Sequence, residues 1–222
     1  MLHADAPPDR RPETLPRPSP LQNRCAPDGT LHAVAARGLF MGNRGGRLHG
    51  PDRQLGAARW RGRAWICCRI DFRDRKREVM GAGYTEIFFL DEATALAAGH
   101  RPCFECRRAD AQAFAAAWAR ARDLARPPKA PEMDRILHAE RRATFETCRL
   151  RDLPDGSIFA TGGGFRLKLD HEIHAWDFDG YRPVETETDP DGAVAAVTPP
   201  AVRAALSAGY RPRLHPSARL RS

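Results

Sequence analysis

The sequence contains no apolar run of 18 or more residues, the length that a membrane-spanning helix needs. Its first residues also lack a basic segment followed by an apolar core, so no signal peptide is predicted. Lysine is scarce, with three residues against 33 arginines, and the positive charge is carried almost entirely by guanidinium groups. Because neither a membrane span nor a signal peptide is predicted, we expect a cytoplasmic protein that has no membrane partner.

Six cysteines occur in a chain for which export is not predicted. Cytosolic thiols stay reduced, so metal ligands or free thiols are favoured over a disulfide framework. Two cysteines are adjacent and two are separated by two residues, whereas the two isolated ones are not expected to belong to a site. The isolated pair is Cys25 and Cys148, and the others are Cys67, Cys68, Cys103 and Cys106.

The positive charge is concentrated in one part of the chain. Residues 44–77 hold eleven basic and three acidic residues, so this segment alone has the net charge of +8 that the whole chain has. Such a local field attracts polyanions, and nucleic acid is the predicted partner. The alternative is a solvated surface that is rich in arginine for compositional reasons.

With 222 residues, the chain is long enough for two small domains, since domains commonly hold about 100 to 150 residues. Six prolines and few apolar residues predict a disordered tail over residues 1–24. A proline-rich linker at residues 127–131 separates a first module over residues 31–126 from a second unit over residues 132–219. The predicted fold class is α+β, with a small zinc-binding module of helices and a β-hairpin followed by a mainly-β unit that ends in a helix.

Hydrophobic patterns and turn residues predict the elements within each unit. In the first unit, residues 63–72 and 78–90 resemble the strands of a hairpin, and helices are predicted over residues 92–98 and 109–125. In the second unit, three short segments alternate like strands, and a final helix ends at residue 207. The remaining predictions are a helix at residues 136–145 and strands at residues 157–160, 164–169 and 172–178.

The most informative segment is Gly-His-Arg-Pro-Cys-Phe-Glu-Cys at residues 99–106, between the two predicted helices of the first unit. Two cysteines separated by two residues can direct both sulfurs to one ion, which is half of a tetrahedral zinc site. A helix that begins after Cys106 would favour thiolates through the positive end of its dipole. The alternative is a redox pair or two buried thiols, although a thioredoxin-type pair needs a βαβ context that is absent. Cys103 and Cys106 are therefore predicted zinc ligands.

Further ligands must come from other segments. Cys67 and Cys68 are adjacent on a predicted strand and face opposite sides, so only one of them can readily join the site, and the sequence leaves open which. Residues 95–103 and 205–213 share the pattern Ala-Leu-x-Ala-Gly-aromatic-Arg-Pro, but the second copy has no cysteine. The shared pattern predicts a way of ending a helix, so the metal prediction depends on the cysteines alone.

Residues 88–106 resemble the end of the zinc-binding domain of Ada-like modules, in which an aromatic strand precedes Glu-Ala-x-x-Ala-Gly-aromatic-Arg-Pro-Cys-x-x-Cys. Residues 42–51 are similar to the upstream segment of those modules, which implies that His49 is a ligand. Arg53 stands where the family pattern has a second upstream cysteine, so Cys67 or Cys68 is expected to replace it. The resemblance covers about residues 40–108 and implies zinc, DNA binding and, in Ada itself, transfer of a methyl group from a DNA phosphotriester to a cysteine.

Three functions follow from these predictions. The first is nucleic-acid binding around a structural zinc ion, with the phosphates contacted by Arg44, Arg47, Arg59, Arg61 and Arg63 and a base stacked on Trp60 or Trp65. The second is an alkyl acceptor or repair enzyme that uses a zinc-bound thiolate of Cys67 or Cys68. The third is a zinc-stabilised module for protein interactions. Separately, His138 and Glu140 could serve in acid–base chemistry only if they line a pocket.

Overall fold

The computed structural model describes residues 19–73, 78–170, 172–184 and 189–219. These residues form two six-stranded sheets, four α-helices and two short 3-10 helices, so the predicted α+β class is confirmed. Most of the tail expected over residues 1–24 lies outside the described residues. Its last three residues do not match the prediction, because they belong to the first strand, where Asn23 is fully buried.

The first sheet has the strand order β2-β1-β5-β3-β4-β6. The predicted hairpin between β4 and β5 is wrong, because β3 lies between them and pairs with both in antiparallel fashion. Gly42 of β3 allows this close packing, since a Cβ atom there would lie 2.1 Å from the carbonyl oxygen of Ile66. The strands are β1 (Gln22–Cys25), β2 (Leu31–Ala33), β3 (Phe40–Asn43), β4 (Ile66–Arg69), β5 (Ile87–Phe89) and β6 (Arg101–Pro102).

The helices are α1 (Glu92–Ala97), α2 (Arg108–Ala121), α3 (Ala130–Glu140) and α4 (Pro200–Ser207). Asp91 caps α1 by accepting a hydrogen bond from the backbone N–H of Thr94. The start of α3 corrects two predictions, since it lies within the expected linker and six residues before the expected helix. Pro131 is compatible with this start because a helix leaves its first N–H groups unbonded. Among the described residues, no helix has the length and apolar character of a membrane span.

The second sheet is antiparallel throughout and has the order β11-β10-β9-β8-β12-β7. The three strands that the sequence predicts, at residues 157–160, 164–169 and 172–178, occur at nearly the expected positions. The other three were not predicted, because they are short and their apolar and polar residues do not alternate strongly. The strands are β7 (Glu146–Arg149), β8 (Ile158–Thr161), β9 (Gly164–Leu169), β10 (Glu172–Asp177), β11 (Gly180–Pro183) and β12 (Ala193–Ala196).

The two predicted units share their hydrophobic core. Ala95 of α1 and Ala98, its C-cap residue, pack with the first sheet, while Ala93 and Ala97 of α1 pack with the second. Helices α2, α3 and α4 form another common cluster around Trp118. Each predicted unit therefore has its own sheet, but the helices join both sheets into one packed structure.

The repeated helix ending has the predicted structural role. The N–H of Gly99 donates to Leu96 and the N–H of His100 to Ala95, and Gly209 and Tyr210 donate in the same way to the equivalent residues of α4. Both glycines have a positive φ, of 78° and 97°, which ends the helix at no steric cost. In the first copy, the next residue, Arg101, forms a buried bidentate pair with Asp134 of α3, with both distances 2.8 Å.

Candidate metal centre

Three cysteines come together at the edge of the first sheet. The sulfur atoms of Cys68, Cys103 and Cys106 all lie within 4.8 Å of one another, and they form the only such potential metal-binding group among the described residues. We call this group the cysteine trio. It could hold a metal ion, because thiolate sulfur is a preferred ligand of several soft or borderline metals.

Backbone pairing explains why these residues meet. Strand β6 runs parallel to β4, and the N–H of Cys103 continues the pairing by donating to the carbonyl of Cys67 at 3.0 Å. Cys103 is thereby placed beside Cys68, and the turn into α2 returns Cys106 to the same point. Cys103 is fixed on both sides, because its carbonyl also accepts from the N–H of Arg107, which closes the turn that carries Cys106.

Two backbone amides point at the sulfur atoms. The N–H of Arg69 donates to Cys106 Sγ and the N–H of Glu105 donates to Cys103 Sγ, both at 3.4 Å. Donors of this kind favour the charged form of a thiol. These two N–H groups therefore stabilise negative charge on the trio even without a cation.

The three thiols share their protons unevenly. Hydrogen bonds from Cys106 and Cys68 hold the pKa of Cys103 well below its usual range. Donation to Cys103 in turn raises the pKa of Cys68 and that of Cys106. Without a cation, the trio thus favours one thiolate and two thiols, and a bound metal would have to displace the two remaining protons.

A cavity of about 580 Å³ adjoins the trio, and we call it the thiol cavity. Its apolar wall is the solvent side of the first sheet, where Met41, Ile66 and Phe88 lie on three neighbouring strands. Its polar lining includes Asn43, Tyr84 and Glu86, and Glu86 is buried and accepts a hydrogen bond from the N–H of Met80. The volume is that of a small-molecule site. None of these lining residues was predicted, because only the strand pairing brings them to the trio.

Cys67 is not part of the trio, which corrects one of the two alternatives for this ligand. It is fully buried on the core side of β4, and its sulfur accepts a hydrogen bond from Arg107 Nη1 at 3.2 Å. Arg107 also forms a buried ion pair with Glu92 at 2.7 Å. The two adjacent cysteines therefore face opposite sides of β4, as predicted, and Cys68 is the one that belongs to the trio.

His49 lies outside the trio and has both ring nitrogens engaged. Nδ1 is 2.6 Å from the Thr85 hydroxyl and Nε2 is 3.0 Å from the carbonyl oxygen of Gly81. Because the carbonyl can only accept, Nε2 donates and Nδ1 accepts, which leaves no free lone pair for a metal. The structure thus corrects the ligand role that the resemblance implied. Arg53, at the other upstream position, is paired with Glu78.

The predicted nucleic-acid residues divide into exposed and buried groups. Arg44 is buried, since its guanidinium stacks on Trp65 at 4.0 Å and donates to the carbonyl of Gly29, and it cannot contact a phosphate. Trp65 is buried as well and is not free to stack on a base. Trp60 is half-buried, and the remaining four side chains are exposed: Arg47, Arg59, Arg61 and Arg63.

A fixed loop presents the exposed arginines. The carbonyl of Arg44 accepts hydrogen bonds from the N–H groups of Arg61 and Gly62, and Gly45, with φ of 82°, lies against Gly62. Arg61 Nε donates to the carbonyl of Arg47 at 2.9 Å. These contacts join the segments that carry the exposed arginines, and Arg47 also donates to the carbonyls of Ala82 and Gly83. We call the four residues Arg47, Arg59, Arg61 and Arg63 the arginine loop.

Comparison with models of protein families, with curated proteins and with solved structures finds no match to this chain. The fold and the site by themselves define an α+β protein with a cysteine trio that could hold a metal ion.

Proposed function

We propose that Cys68, Cys103 and Cys106 bind a zinc ion and that the surrounding module binds nucleic acid. The convergence of the three sulfur atoms within 4.8 Å carries the first part of this proposal. Zinc suits the site because it accepts thiolate ligands in a tetrahedral arrangement and needs no redox partner. The resemblance of residues 88–106 to Ada-like modules also supports zinc.

Three protein ligands leave one tetrahedral position for another group. Structural zinc sites usually have four protein ligands, whereas sites with three keep a position for water or substrate. The trio lines the thiol cavity, so a molecule in that cavity could supply the fourth ligand. Bound zinc would hold the thiols as thiolates and would polarise the added group. The geometry therefore favours an open metal centre over a purely structural one.

Cobalt binding tests the metal site. Titration of the reduced protein with Co²⁺ should produce thiolate-to-metal charge-transfer absorption that saturates at about one ion per chain, and Zn²⁺ should abolish it. Cys68→Ser should strongly weaken the binding of the metal. Cys67→Ser is the matched control, because it changes the neighbouring residue on the other side of β4. Equal loss in both variants would contradict the assignment of the trio.

The arginine loop supports the nucleic-acid part of the proposal. Arg59 and Arg63 are exposed and have no ion pair or hydrogen bond among the described residues, so their charges are available. Half-buried Trp60 lies beside them and presents an aromatic side chain. Guanidinium groups next to an aromatic ring are typical of surfaces that bind phosphates and stack on bases.

The salt dependence of DNA binding tests the arginine loop. Changing Arg59, Arg61 and Arg63 together to Gln should weaken the binding of duplex DNA. It should also reduce the slope of log affinity against log salt concentration by about 3. A variant with Arg126, Arg149 and Arg182 changed to Gln controls for net charge, since these exposed arginines already have carboxylate partners. The proposal fails if both triple variants lose the same affinity.

A second candidate is an alkyl acceptor, because Cys68 combines a place in the trio with a side chain on the thiol cavity. In this reaction the thiolate sulfur attacks the methyl carbon of a DNA phosphotriester. The sulfur–carbon bond forms as the carbon–oxygen bond breaks, and the phosphodiester leaves with the electron pair. Intact-mass analysis after incubation with methylated DNA should show one methyl group in place of a proton. The adduct should be absent from Cys68→Ser and retained in Cys67→Ser, and an unmodified wild-type mass would exclude this reaction.

A further inference from the structure

A second cavity, of about 640 Å³, lies on the core side of β4, opposite the trio. We call it the arginine cavity. It is bounded by Trp65 just before β4, the end of α1, the residues that follow α3 and the start of α4. Six of its side chains carry the argument: Arg59, Trp60, His138, Arg141, Arg142 and Phe145.

Arg141 is an incompletely bonded cation in the wall of this cavity. Its Nε donates to the carbonyl of Leu137 at 2.8 Å, but both terminal nitrogens are buried and have no hydrogen-bond partner among the described residues. The guanidinium stacks on Trp65 at 4.3 Å, and Arg44 stacks on the same indole at 4.0 Å. Burial lowers the pKa of Arg141 to about 9; Arg44 and Arg101 add to the lowering, whereas the carboxylates of Asp134 and Glu140 oppose it only in part. A buried donor that lacks an acceptor is costly, and the positive charge of Arg141 therefore lies uncompensated just behind the cavity surface, where it would attract an anion.

The cavity contains further positive charge that the chain does not neutralise. Arg59 and Arg142 are exposed and have no ion pair among the described residues. The acidic side chains of the lining are already bonded: Asp28 accepts from Thr30, Glu140 accepts from the N–H of Ala201, and Glu146 pairs with Arg203. The donors to Asp28 and Glu140 are neutral and leave those charges in place, so four arginines against three carboxylates give the lining a small positive excess of one charge.

The pKa of His138 is affected by the same excess of positive charge. Burial, followed by the charges of Arg141, Arg142 and Arg63, lowers the pKa of His138, which is consequently neutral at pH 7. Its Nδ1 is buried and has no partner among the described residues. A neutral imidazole next to three arginines can donate to an anion without adding to the repulsion.

The cavity also offers aromatic surface. Trp60 is half-buried, and Phe145 is 46 % exposed, so both rings are open to a ligand in the cavity. Aromatic side chains beside arginines suit a ligand that has both a planar ring and an anionic group. A phosphate fits three arginines better than a carboxylate does, because it carries up to two charges and three acceptor oxygens.

We propose that the arginine cavity binds a single nucleotide, with its phosphate at Arg142 and Arg59, in front of the buried charge of Arg141, and its base against Trp60 and Phe145. The volume of about 640 Å³ is within the range of small-ligand sites. The choice of a nucleotide rests on the proposed nucleic-acid function. The anion site rests on the exposed guanidinium groups of Arg59 and Arg142, which have no ion pair in the described part of the chain, beside the buried charge of Arg141.

Calorimetric titration with deoxyadenosine monophosphate tests the proposal, with tryptophan fluorescence as a second readout because Trp60 and Trp65 line the cavity. Arg142→Gln should weaken binding by about ten- to a hundredfold, the range of a charge-assisted hydrogen bond, and Arg141→Gln, which removes a charge behind the surface, should weaken it by less. Arg149→Gln, an exposed arginine of β7 outside the cavity lining, controls for the loss of one charge. Deoxyadenosine and inorganic phosphate should each bind more weakly than the intact nucleotide.

Thermal unfolding separates a ligand role from a packing role. Since Arg141 is a poorly compensated buried cation, Arg141→Gln should leave the melting temperature unchanged or raise it, and the nucleotide should raise the melting temperature of the wild type only. Arg142→Gln repeats the test at an exposed position, where the side chain is not buried and its guanidinium lies 5.7 Å from the centre of the Trp60 ring.

Unchanged nucleotide affinity in both Arg141→Gln and Arg142→Gln would overturn the proposal, and so would equal affinity for the phosphate-free nucleoside. Nucleotide binding without duplex binding would support the cavity and contradict the arginine loop as a DNA surface. Duplex binding without nucleotide binding would overturn the cavity proposal alone.

Discussion

Cysteines lie on both sides of the first sheet, and their protonation differs: a thiolate is favoured on one side and neutral thiols on the other. On the solvent side, the trio shares hydrogen bonds that stabilise a thiolate at Cys103 and lower its pKa. On the core side, burial raises the pKa of Cys25 to about 11 and also raises that of Cys67, so both remain neutral thiols. Cys67 and Cys68 are adjacent, so the direction of the side chain from β4 decides between these states.

The two cavities differ in the same way. The thiol cavity adjoins sulfur atoms that could hold a cation, whereas the arginine cavity has guanidinium groups without acceptors. Trp65 lines the site suited to an anion, and Cys68, three positions later, lines the site suited to a soft metal. The comparison predicts that each site can be changed without loss of the other, except where a residue supports both.

Arg101 is such a residue, and changing it should have the largest effect. It pairs with Asp134 on the core side, two positions before Cys103 of the trio. Arg101→Gln leaves a buried carboxylate unpaired and should lower the free energy of unfolding by about 3–5 kcal/mol. Urea denaturation measures this loss, and Co²⁺ titration should show weaker metal binding because the turn is less fixed.

The double variant Arg101→Gln and Asp134→Asn provides the control. It removes both charges, so it should be more stable than Arg101→Gln alone. A loss below about 1 kcal/mol in the single variant would mean that this pair does not join the two sides.

The core-side thiols should make stability depend on alkaline pH. The folded state holds the proton of Cys25 with a pKa of about 11, above its usual value of about 9. The resulting stability is fully present below about pH 9 and is lost as the pH rises to about 11, with a loss of about 3 kcal/mol. Urea denaturation between pH 7 and pH 11 measures this slope.

The Cys25→Ala variant should show a flatter pH profile than the wild type. Some slope should remain, because burial raises the pKa of Cys67 in the same direction. Identical slopes would show that Cys25 is not a buried neutral thiol, and the contrast between the two sides of the sheet would then apply to β4 alone.

The sequence predicted the parts of this structure that depend on local pattern. Alternation along a strand showed that only one of Cys67 and Cys68 could join Cys103, and the repeated Gly-Arg-Pro segment marked the two helix ends. These features depend on residues within a few positions of one another.

The choice between Cys67 and Cys68 could not be predicted, because it depends on the pairing of β4 with β6 from a segment about 35 positions away. The insertion of β3 between β4 and β5 is a similar long-range contact. Arg44 appeared to belong to a basic surface because its neighbours are glycine and arginine, and only Trp65 and the carbonyl of Gly29 explain its burial. The arginine cavity was missed for the same reason, since Trp60 and Arg141 are distant in sequence.

The adjacent cysteines give the smallest and most direct test of the comparison. Cys67→Ala removes the acceptor of Arg107 Nη1 and should lower the free energy of unfolding by about 1–3 kcal/mol in the presence of a chelator. Cys68→Ala should change it by less than about 0.5 kcal/mol, because the side chain is only half-buried and lies on the solvent side. Metal binding should show the reverse order, with cobalt absorption kept in Cys67→Ala and lost in Cys68→Ala. If the same variant were the worse of the two in both measurements, the two sides of β4 would not have separate roles.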